Sequence, residues 1–197
     1  MADNQYGYGY TPKVGGSKYL TLKSKGDLVD IRIASTPIHK TIHWITNEET
    51  SQPQQVDHEG ETCQYCDKAE ANQDNRAAAK EIFGWIVLDR NDESKPKIFK
   101  GGTSIYLAIK GLAESKAWGD PQGYDIEIQR TEEKPMFYRV TPLPDKSEIT
   151  PKEKLAINTA NLNLEEEISG GEPTNTFGKD EDINVEEVTK ELGKGID

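Results

Sequence analysis

"IFGWIVLDR", residues 82–90, is the most apolar run in this chain, and the rest of the fold is read outward from it. Its branched and aromatic content predicts a central β-strand, with Trp85 the aromatic most expected in the core. "KPKIFKG" follows across the polar turn Asn91 to Ser94 and reads as its hairpin partner. "TSIYLAIKGLAESK" then opens on Thr103, an N-cap candidate, and spaces Ile105, Leu107, Ile109 and Leu112 along an amphipathic helix. "GYDIEIQR" and "MFYRVTPL" add two alternating strands joined by the turn "TEEKP".

Upstream, "KYLTLKS" and "DLVDIRIAS" alternate around Gly26-Asp27 and predict an opening hairpin. "HKTIHWI" continues as a strand of mixed character, residues 46–62 read as a polar loop, and residues 67–81 hold a short helix. "TPKEKLAINTANLNLEEEI" predicts one further helix. Short strands with few helices point to a mainly β fold, for which a five-stranded barrel of the oligonucleotide-binding (OB) type suits the length. The division is a flexible arm at 1–17, a barrel core at 18–144 with an insertion at about 39–80, a helix or linker at 145–168, and a disordered acidic tail at 169–197.

Charge is unevenly placed. The net −11 of the chain is mostly the −8 of residues 165–197, whereas residues 13–46 are +4. An acidic average therefore does not exclude a nucleic-acid partner for the body. Apolar content is only 34%, and no apolar run approaches the length of a membrane span. The opening "MADNQYGYGYTPK" has no signal-type apolar run, so the expected compartment is the cytoplasm.

The two cysteines, Cys63 and Cys66, have the C-x-x-C spacing that presents two thiolates to a tetrahedral metal. All three histidines lie upstream, at 39, 43 and 58, and no His or Cys follows Cys66. His43, His58, Cys63 and Cys66 thus form a candidate zinc set, with His39 as a substitute sharing the strand face of His43. The competing readings are thioredoxin-like redox chemistry, which wants a βαβ context, inert thiols on a loop, and a hydrolytic zinc assisted by Glu59 or Glu61.

Cations and aromatics interleave on the strands, as a single-strand binder requires. The phosphate candidates are Lys23, Lys25, Arg32, Lys40, Arg90, Lys97, Lys100 and Arg139. Those for base stacking are Trp44, Phe99, Tyr106 and Tyr138, each with burial in the core as the bland alternative. An acidic tail can lie on such a surface and compete with phosphate, or only keep the protein soluble.

With "DLVDIRIASTPIHKTIHWI", the His-then-C-x-x-C order, "FGWIVLDRNDESKPKIFKGGTSIYLAIKGL" and "WGDPQGYDIEIQRTEEKPMFYRVTPLP" in view, residues 18–144 and the tail resemble the single-stranded DNA-binding proteins of tailed bacteriophages, the T-even helix-destabilising type. The resemblance implies an OB barrel with an inserted zinc subdomain and sequence-independent binding of single-stranded DNA. It further implies a tail that recruits replication, recombination and repair proteins, in the host cytoplasm if the protein is phage-encoded. Neither an enzymatic reaction, a small-molecule substrate nor a membrane is part of that expectation. His58 stands where the family usually has cysteine, and the arm lacks the family's basic charge. The rival class is a zinc-stabilised protein-interaction module, or a DNA mimic, that binds no strand.

Overall fold

The structure, a computed structural model, describes residues 17–47, 49–72, 77–131 and 137–170. Nearly all of the expected arm and tail lie outside the described residues. The fold is mainly β, a mixed eight-stranded sheet with few helices. The elements run β1 (Tyr19–Leu20), β2 (Leu28–Ile33), β3 (Ile38–Thr46), β4 (Pro53–Asp57), α1 (Gln64–Asn72), β5 (Lys80–Asp89) and β6 (Lys95–Gly101). They continue α2 (Thr103–Glu114), a 3-10 turn (Pro121–Gly123), β7 (Tyr124–Arg130), β8 (Tyr138–Lys146), α3 (Pro151–Ala160) and α4 (Leu164–Gly170).

β5, which contains the opening run, organises the sheet. One edge pairs antiparallel with β6 along its length, from Phe83↔Gly101 to Asp89↔Lys95. The other edge is shared, β3 taking Lys80–Gly84 and β2 taking Val87–Asp89. Between them the chain bends, and Ser35 Oγ accepts the Ile86 N–H at 2.9 Å, filling the gap in the ladder. The sheet order is β1-β6-β5-β2-β7-β8, with β3 on β5 and β4 on β3.

β5 is apolar along almost all its length because both its faces are covered. Phe83, Trp85 and Val87 point into the main core with Ile31, Ile33, Phe99, Ile105, Ile126 and Ile128. Ile82 points the other way, packing with Ile42 beneath Ile168 of α4. Gly84 lies on this second face, where a Cβ would sit 2.5 Å from the Ile168 side chain, so any larger residue would push α4 away. Fully burying an isoleucine such as Ile31 or Ile126 contributes about 1.5–3 kcal/mol, so the main core carries most of the fold's stability.

Four local expectations are corrected. The opening hairpin does not form, because β1 pairs parallel with β6 while β2 has both edges filled by β5 and β7. The segment 46–62 contains a strand, β4, which closes a hairpin on β3 from Ile42↔Asp57 to Thr46↔Pro53. The helix expected at 67–81 begins at Gln64 and ends at Asn72, after which β5 starts at Lys80. The last helix is two: α3, closed at its start by a Thr150–Glu153 capping box, ends at Asn161 in the left-handed region (φ 47°), and α4 follows.

Candidate metal centre

His43 sits in the middle of β3 and is fully buried, His58 follows β4, Cys63 immediately precedes α1, and Cys66 lies in its first turn. The β3–β4 hairpin and α1 therefore bring four donors to one point, where one ligand atom from each falls within 4.8 Å of the rest. His43 Nε2 is 3.1 Å from His58 Nδ1 and 3.2 Å from Cys63 Sγ. Cys66 Sγ is 3.7 Å from each histidine nitrogen. A tetrahedron with metal–nitrogen bonds of about 2.0–2.1 Å and metal–sulfur bonds of about 2.3 Å has edges of about 3.4–3.8 Å. These four edges, at 3.1–3.7 Å, lie within a few tenths of an ångström of that range, so the cluster could hold one metal ion, and its donors are compatible with zinc.

Groups around the cluster prepare it. His43 Nδ1 lies 2.7 Å from the Ala77 carbonyl, which accepts a hydrogen bond from Nδ1–H and leaves the Nε2 lone pair facing the cage. Burial pushes the Cys63 thiol up, but backbone groups of Glu59, Cys66 and Tyr65 and the His58 ring outweigh it and bring the thiol down to about 6. Burial and the neighbouring Cys63 charge push Cys66 up. A cation between the two sulfurs removes that conflict. Four protein donors would fill the tetrahedral shell of such an ion.

His39 takes no part, since its ring pairs with Glu81 at 3.1 Å and is half exposed. Glu59 is exposed and accepts from Gln64 at 3.3 Å. The Ala77 carbonyl that orients the His43 ring left no trace in the sequence, because any residue could supply it.

The strand-binding candidates divide sharply. Arg32 is fully buried, paired with Asp125 at 2.7 Å and bonded to the Ser147 carbonyl at 2.6 Å. Phe99 and Tyr138 belong to the main core. These three are interior side chains, a correction to their reading as surface contacts; the strand face that holds them is the packed one.

Four more cations face acids or the end of α4. Arg90 bridges Asp125 and Glu153, and Lys97 bridges Asp89 at 2.7 Å and Asp92 at 2.9 Å. Lys40 meets Asp57 at 3.2 Å and the Ser169 hydroxyl. Lys100 is buried and donates to the Glu167 carbonyl at 2.5 Å; burial lowers its pKa. Trp44 packs partly buried against Ile42, Ile82 and Ile168, and its Nε1 has no partner among the described residues. Tyr106 stacks flat on Phe83 with centroids 3.9 Å apart.

Lys23, Lys25 and Arg139 are exposed and, among the described residues, form no ion pair. They share one end of the sheet. The Gly26 N–H donates to the Arg130 carbonyl at 2.8 Å, joining the turn of Lys23 and Lys25 to β7, and Arg139 lies opposite Gln129 on β8.

Sequence reading missed the anchors of α4. Lys18 pairs with Glu167 at 2.7 Å, Tyr19 bonds the same carboxylate, and the Gln55 amide donates to the Ile168 carbonyl at 2.6 Å. The signal was present as Leu164 and Ile168, four apart among glutamates. No protein-family model and no curated protein matches this chain.

Proposed function

We propose that this protein binds single-stranded DNA without sequence preference, on a barrel of the oligonucleotide-binding type whose inserted hairpin is held by zinc. The observation that carries this reading is the cluster of uncommitted cations, Lys23, Lys25 and Arg139, gathered at one end of the sheet while the other candidates serve the fold. Cations free of carboxylate partners release counterions when they meet phosphate, which is the main source of non-specific affinity. The motif resemblance to phage helix-destabilising proteins supports the same reading, with roles in DNA replication, recombination and repair. The closed donor set supports zinc as a cross-link rather than a reagent, and the protein as a binder rather than an enzyme. The acidic residues 165–197 compete with phosphate at low salt and offer a surface to replication or recombination proteins.

Titration of labelled oligo-dT, read by anisotropy at low and then higher salt, tests the reading. Binding that weakens with salt is expected. Replacing Lys23, Lys25 and Arg139 by glutamine should flatten the dependence of log affinity on log salt by about 2, since each phosphate contact to a single strand contributes about 0.7. A second reading, a zinc-stabilised protein-interaction module, is favoured by the ion pairs that occupy Arg32, Arg90 and Lys97. No binding at low salt would select it.

A further inference from the structure

The β3–β4 hairpin is gripped from both faces. Side chains alternate along a strand, so on β3 His43 points to the four-donor cluster while its neighbours Ile42 and Trp44 point to α4. On β4 Gln55 bonds the Ile168 carbonyl, and the chain reaches the ligand His58 three residues later. Lys40 ties Asp57, the last residue of β4, to Ser169 in the final turn of α4. The segment entering β5 is held by the Ala77 carbonyl on His43, and within a few residues supplies Ile82 and Gly84 to the seat of Ile168.

α4 has only seven residues, far too few to persist as a helix without tertiary contacts. It therefore exists only while its seat is intact. That seat has a small apolar centre of Ile42, Ile82 and Ile168, and covers the indole nitrogen of Trp44 without offering it a partner. Such a marginal interface responds to the order of the hairpin beneath it.

We propose that the metal and α4 are linked ligands of this hairpin: filling the four-donor cluster seats α4, and a seated α4 tightens the metal. The linkage rests on the metal reading above and is independent of DNA binding. Linkage is reciprocal, so each event changes the other by the same factor. Losing the metal would free Lys18, Lys40, Lys100 and Tyr19 from their contacts with α4.

The test uses the full chain and zinc, with affinity read by competition against a chromophoric chelator. Ile168→Ala should weaken zinc binding about 10-fold although no ligand is touched. Glu167→Gln, a milder change at a side chain that bonds Lys18 and Tyr19, should weaken it less but in the same direction, and serves if the first variant misfolds. In the unmodified chain, chelation should speed hydrogen exchange of the Glu167 amide, which bonds Asn163, and leave the Lys154 amide of α3 unchanged. Zinc affinities equal to that of the unmodified chain in both variants, or unaltered α4 exchange on chelation, overturn the linkage alone. A chain that binds no zinc overturns both it and the metal reading.

Discussion

The main core and the β3–β4–α1 excursion are held together by different physics. Among the described residues, Leu22 and thirteen buried residues of β2, β5 to β8 and α2 interlock in the core, so its stability comes from apolar burial. Among the described residues the excursion has a cluster of only three, two of them borrowed, Ile82 from β5 and Ile168 from α4, and its helix α1 buries just Ala69. A segment that cannot bury enough apolar surface to offset its chain entropy needs a cross-link, and the four donors lie at that point. A chain of modest apolar content thus spends its isoleucines on one region and its cysteines on the other.

The sharpest way to break this comparison is to remove the metal ligands. Structural zinc sites bind with apparent free energies of about 10–16 kcal/mol, so Cys63→Ser with Cys66→Ser should abolish amide protection across β3, β4 and α1. Protection in β2, β5 and β7 should survive, measured by hydrogen exchange. Collapse of all protection together would show one cooperative unit instead of two. The converse variant is Trp85→Ala, which opens a cavity in the core and should cost about 3–5 kcal/mol in denaturant unfolding. If the regions are distinct, zinc affinity of the fraction that remains folded should hardly change.

How far each region was legible follows from the same contrast. β5, β6, α2 and β7 lie almost where their patterns put them, because burial imposes a period on the sequence. The ligand set was legible too, since thiols and imidazoles are scarce and were crowded into one stretch. β4 was invisible, as "PQQVD" carries no apolar alternation and is a strand only because β3 offers it an edge. The roles of cations were the least legible. Arg32 and Lys23 look alike in sequence, and only the approach of Asp125 from β7 separates an internal ion pair from an uncommitted charge. Sequence spacing cannot reveal which carboxylate the fold brings near.

The mildest perturbation is acid, and it should separate the regions by pH. Burial opposes ionisation of Glu153, but the Arg90 guanidinium and the Thr150 donors outweigh it and hold the carboxyl at about 2, below its ordinary 4.5. A depressed carboxyl stabilises the fold above its unfolded value, and that contribution is lost as pH falls from 4.5 toward 2. Hydrogen bonds to a charged group contribute about 1.5–3 kcal/mol, enough to loosen α3 but not the core. Metal ligands must be deprotonated to bind, so acid also releases the metal and loosens the excursion. Amide exchange followed from pH 7 to pH 2 should therefore show two separate openings, β3–β4 with the metal and α3 with Glu153. In Glu153→Gln the α3 step should vanish while the β3–β4 step stays in place. A single transition would mean that metal and ion pair hold one unit, and that the contrast between the two regions lies only in their composition.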